Sequence, residues 1–117
     1  MAQIIKSSPQ PRAQAAIAGG YNHVMMSVVS AFEMTIKHRA GKWPEIAPLL
    51  DGLAQYLRGE RFEILPLSLS HAELAGNLDI AHKDPFDRLL IAQARIENAY
   101  LVSNETLFDG FGVRRLW

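Results

Sequence analysis

At 117 residues the chain has room for one domain with one sizeable core, and 49% hydrophobic against 21% charged residues excludes a disordered chain. Twelve basic and twelve acidic residues give a formal net charge of zero, so no global positive field marks a nucleic-acid binder and only a local basic patch stays open. The absence of cysteine removes disulfides, thiolate metal sites and cysteine nucleophiles, and with apolar runs too short to span a bilayer and no secretory signal core at the start it implies a soluble, cytoplasmic domain without a membrane.

Ser7, Ser8, Pro9 and Pro11 make residues 1–10 an atypical or disordered start, with a short strand as the alternative over 2–5. A short helix is expected over 11–18, stopped by Gly19-Gly20, and a buried strand over 23–26. Ser27 is placed to cap a helix over 28–40, with Gly41 as its stop and Trp43-Pro44 beyond. Ile46, Leu49, Leu50, Leu53, Tyr56 and Leu57 recur at helical spacing, which predicts one helix over 45–57 with Pro48 tolerated in its first turn.

A strand of roughly five residues follows around Phe62, Ile64 and Leu65, before Pro66. Ser70 is read as the cap of a helix over 71–77. Next comes the string His82-Lys83-Asp84-Pro85-Phe86-Asp87-Arg88-Leu89-Leu90-Ile91-Ala92-Gln93-Ala94. Asp84 suits an N-cap, Pro85 the first helical position and Asp87 the helix's positive end, so a buried helix is expected over 84–98 with an acidic mouth at the surface. A strand over 100–103, a turn or short helix over 104–108, breaks at Gly110 and Gly112 and a last strand over 113–117 complete a single domain over 1–117. Strands alternating with helices predict an α/β fold, a mainly parallel sheet covered on both faces.

In such sheets ligands gather beyond the carboxyl ends of the strands, which directs attention to Glu33, Asp84, Asp87 and Glu105. Glu33 lies among apolar neighbours and needs a partner: an i,i+4 pair with Lys37 or a metal. Asp84 reads first as a cap, Asp87 as cap or ligand, and Glu105 alone as a turn residue. Together they can form an oxygen-rich site for Mg²⁺ or Mn²⁺, which suits phosphodiester hydrolysis. His23, His38, His71 and His82 lack zinc-site spacing and read as satisfied or solvent-facing. Lys37, His38, Arg39, Lys42 and Arg88 can bring positive charge to an RNA backbone, although a solvated helix face is the plainer reading. The Phe and Trp residues read as core or interface rather than stacking platforms.

The segments 27–37, Gly41-Lys42, 82–94, Leu101-Val102-Ser103-Asn104-Glu105, Phe111-Gly112-Val113 and Leu116-Trp117 resemble a PIN-domain protein of the VapC toxin kind, the toxin of a toxin-antitoxin pair. The resemblance implies a metal-dependent endoribonuclease acting on RNA, bound by a cognate antitoxin and forming a homodimer. Carried onto this chain, it makes Glu33, Asp87 and Glu105 catalytic metal ligands and Asp84 an auxiliary one. Glu105 stands where such proteins carry an aspartate. The chain departs from the pattern at its start, where the first hydrophobic strand and its aspartate are missing or replaced. If residues 2–5 replace that strand, Lys6 falls where the first catalytic aspartate belongs, and an ammonium cannot ligate Mg²⁺. A truncated or inactive copy, a non-catalytic binder of an antitoxin or of a second protomer, and an unrelated α/β module are the rival expectations.

Overall fold

A computed structural model describes residues 3–6, 23–81, 84–103 and 105–116; the helix expected over 11–18 and residues 82–83, 104 and 117 lie outside the described residues. Chain order is β1 (Gln3–Lys6), β2 (His23–Ser27), α1 (Val28–Arg39), a 3₁₀ turn (Pro44–Ile46), α2 (Ala47–Leu50), α3 (Leu53–Gly59), β3 (Glu63–Leu65), α4 (Leu69–Asn77), α5 (Pro85–Ile96), β4 (Tyr100–Val102), a second 3₁₀ turn (Thr106–Phe108) and β5 (Arg114–Leu116). The strands form one sheet in the order β3-β2-β1-β4-β5. β2 and β3 are parallel, as are β4 and β5, while β1 runs antiparallel to both its neighbours. Four of the five strands therefore point the same way, and the reversed one occupies the centre.

That reversal corrects the expectation for Lys6. Gln3 pairs with Val102, whereas Lys6 pairs with His23 at the start of β2. With a rise of about 3.4 Å per residue, the Lys6 backbone sits roughly 10 Å from the level where β4 ends and about 14 Å from the level where β2 ends. A strand fills the central place, but its final residue, Lys6, lies at the opposite end from the one where β2 and β4 finish.

Helices cover both faces because β2 alternates its side chains. Met25 packs in a cluster with Val29, Leu65, Leu90, Ile91 and Leu101, while Met26 joins Met34, Ile46 and Leu57 on the opposite face. Helix α5 lies in the first cluster, with Leu90 through Ala94 all buried and Ile91 fully so, as a helix apolar on nearly every side requires. Burial of Leu90 and Ile91 contributes about 1.5–3 kcal/mol each.

Three local expectations change. The helix expected over 45–57 is divided, because Asp51 closes α2 and Gly52, at φ +95°, takes a left-handed conformation that breaks the helix before α3. Ser68, not Ser70, caps α4: its hydroxyl accepts from the His71 amide while His71 Nδ1 accepts from the Ser68 amide, at 3.1 and 3.0 Å. The long helix ends at Ile96 rather than 98, since Asn98 has φ +52°. His71 is a satisfied core residue, its Nε2 standing 3.0 Å from Glu97 and its ring next to a buried Ser27–Gln93 hydrogen bond.

Candidate active and metal site

The site begins with two helix starts. Ser27, the last residue of β2, accepts a hydrogen bond from the Val29 amide at 3.0 Å and launches α1 without a linker. Asp84 Oδ1 accepts from the amides of Phe86 and Asp87 at 2.9 and 3.1 Å and launches α5, with Pro85 in the first turn. Both helices then present a carboxylate: Glu33 from the second turn of α1 and Asp87 from the first turn of α5. Their immediate neighbours hold the two helices together, since the rings of Phe32 and Phe86 meet edge to face at 5.6 Å and 80°.

The third carboxylate comes from the end of β4. Ser103 Oγ accepts from the Glu105 amide at 3.1 Å, and Arg115 donates to the Ser103 carbonyl at 3.1 Å while pairing with Asp109 at 2.8 and 3.2 Å. That pairing holds the Asp109 carboxyl below its ordinary value, the hydrogen bond from Arg115 outweighing the opposing effect of desolvation, and raises the Arg115 guanidinium in return.

Glu33, Asp87 and Glu105 line one cavity of about 40 Å³, together with Met34, Lys37, Trp43, Leu90, Ser103 and Phe108. Three elements distant in sequence thus deliver acids to one place at the carboxyl edge of the sheet. Asp84 does not line the cavity; its side chain is engaged as the cap. Glu33 also makes the expected pair with Lys37, at 3.5 Å, so the bland and the sharp readings of this residue coexist. Trp43 was not anticipated here. The signal was the run Gly41-Lys42-Trp43-Pro44, which turns an aromatic residue back at a helix exit.

Over residues 1–112 the sequence matches the PIN domain family. The chain belongs to this family. No curated protein and no solved structure matches it with significance. PIN domains are in general nucleases that depend on a divalent metal, and this PIN domain has donors of the corresponding type. Carboxylate oxygens are the hard ligands that Mg²⁺ and Mn²⁺ prefer, and the cavity has room for an ion with a water or two. The fit is in donor type and size. In spacing it falls short, because among the described residues no three acidic or histidine side chains are close enough to hold an ion as placed. The central strand adds no described acid at this edge, since β1 runs the other way. Among the described residues no helix is long and apolar enough to cross a membrane.

Proposed function

We propose that this PIN domain is a VapC-like endoribonuclease toxin that hydrolyses RNA phosphodiesters in the cytoplasm with Mg²⁺ or Mn²⁺. The observation that carries the reading is the shared cavity of Glu33, Asp87 and Glu105, residues brought together from α1, α5 and the end of β4. These three are the proposed metal-binding catalytic residues, with Asp84 auxiliary through the turn it caps. Glu33, Asp87 and Glu105 would hold a divalent ion, which would supply positive charge at the phosphodiester and acidify an attacking water. Lys37, half exposed on the same cavity, neutralises Glu33 and lies where it can meet a phosphate oxygen. Phe32 and Phe86 orient the two helices that carry the acids.

The proposed partners are RNA, a cognate antitoxin and a second copy of the chain. An apolar groove of about 410 Å³ lined by Val28, Phe32, Leu67, Phe86 and Leu89 adjoins the acidic mouth and supports a protein partner. Purified protein is expected to cleave RNA only with Mn²⁺ or Mg²⁺, and Glu33→Gln and Asp87→Asn to abolish cleavage. Equal cleavage by the parent and both variants would mark a contaminating nuclease and remove the support for this reading.

A second reading draws on the reversed β1 and on the Glu33–Lys37 pair: a non-catalytic PIN domain that keeps the groove and captures an antitoxin or another protomer. It predicts antitoxin binding without metal-dependent cleavage.

A further inference from the structure

Strands β2 and β3 part at a fork, and a side chain from α5 fills it. Their last paired residues are Ser27 and Leu65, after which one branch turns into α1 and the other runs through Pro66 and Leu67 to the cap of α4. The ladder ends at that pair, so buried polar groups beyond it need other partners. Gln93, fully buried, supplies a primary amide, which offers a carbonyl and N–H donors as a peptide unit does. Its Oε1 accepts from the Ser27 hydroxyl and its Nε2 donates to the Pro66 carbonyl at 3.3 Å, one contact to each branch. The same Nε2 stands 3.5 Å from Nδ1 of the buried His71 ring.

Both ends of this bridge are helix caps. Ser27 Oγ accepts from the Val29 amide at 3.0 Å, and Ser68 Oγ accepts from the His71 amide at 3.1 Å. Each member sets the orientation of the next. The Ser68 amide makes His71 Nδ1 an acceptor, so the ring presents its N–H at Nε2, 3.0 Å from Glu97. Gln93 turns its amino group toward Nδ1 and Pro66, which leaves Oε1 for the Ser27 hydroxyl. Reversing one member would set donor against donor, and a buried network in that state costs more than an apolar one. The two branches also line the apolar groove of about 410 Å³: Val28 and Val29 follow Ser27, Leu67 follows Pro66, and Phe86 and Leu89 come from the helix that carries Gln93.

We propose that Gln93 is a latch that couples the starts of α1 and α4, so that the two sides of this groove loosen and close as one unit. With the latch in place, opening either cap leaves Gln93 with an unpaired buried group and thereby favours opening of the other. With an apolar side chain at position 93 the two caps open independently. The coupling requires neither metal nor RNA, and so stands apart from the nuclease reading.

Native-state amide hydrogen exchange on the full chain tests the latch. The Val29 and His71 amides report the two caps, and Leu101, on a strand paired on both sides, reports global opening. Ser68→Ala removes the α4 cap and is expected to speed exchange at Val29, in the other helix, by about fivefold or more relative to Leu101. In a Gln93→Leu background the same substitution is expected to speed His71 while leaving Val29 within about twofold. Val29 exchange unmoved by Ser68→Ala in the parent would overturn the proposal, as would an equal acceleration in both backgrounds, which would assign the coupling to the strand backbones. Should Gln93→Leu fail to fold, Gln93→Met takes its place; should both fail, the response of Val29 to Ser68→Ala in the parent decides.

Discussion

The mouth of α5 and the central strand β1 are the two places where an acid would complete the site, and they meet different demands. At α5, one short run sets both direction and chemistry: Asp84 caps, Pro85 starts the helix, and Asp87 follows in the first turn facing the cavity. At β1, apolar backbone pairing fills the middle of the sheet with Ile4 between Met25 and Leu101, yet the strand runs backward. Occupying the central position satisfies the hydrogen-bonding edges of β2 and β4 in either direction. Delivering a ligand requires one direction only. The sheet is thus complete at its centre, while β1, with the sequence Gln-Ile-Ile-Lys, brings no acid to Glu33, Asp87 and Glu105.

The sharpest way to break the β1 half of this contrast is Ile4→Pro. A proline there removes a donor from a strand paired on both sides, and the expected loss is about 3 kcal/mol or more, read as a fall in the urea midpoint. An unchanged midpoint would mean that β1 does not hold the centre of the sheet. The α5 half is tested by Asp84→Ala, which frees the amides of Phe86 and Asp87 and is expected to cost about 1 kcal/mol, with Asp84→Asn nearly neutral because asparagine caps equally well. Equal losses in both variants would assign Asp84 a role beyond capping.

The smallest effect concerns the strand end that carries Glu105. The Asp109 carboxyl is lowered by its bond to Arg115, so its contribution is whole above the ordinary carboxylate range and disappears as pH falls through the lowered value. Asp109→Asn is therefore expected to flatten part of the acid limb in a plot of Tm against pH and to change little at neutral pH, the pair being exposed. An acid limb identical in both proteins would show that the pair makes no measurable contribution.

The same contrast explains what could be read from the residues. Helix α5 was legible because cap, proline and an apolar run of more than two turns all agree, and β2 leading directly into Ser27 was legible for the same reason. The division at Gly52 was harder, since the apolar spacing on either side continues in phase across it and only the left-handed turn interrupts it. Ser68 and Ser70 are equivalent caps by composition, and the choice was made by the His71 ring three residues after Ser68. Strand direction in β1 leaves no local trace, because four residues pair equally well either way. For the site, the types of Glu33, Asp87 and Glu105 were readable, whereas their common cavity, and Trp43 in it, are products of packing.

On the proposed reading Glu33, Asp87 and Glu105 bind the metal while Asp84, the cap three residues before Asp87, serves the fold. Mn²⁺ affinity measured by electron paramagnetic resonance on the parent, Glu33→Gln, Asp87→Asn, Glu105→Gln and Asp84→Asn tests it most directly. The account predicts losses of about tenfold or more in the first three variants and affinity within about twofold of the parent for Asp84→Asn. Equal affinity across all five proteins, or a loss confined to Asp84→Asn, would contradict it.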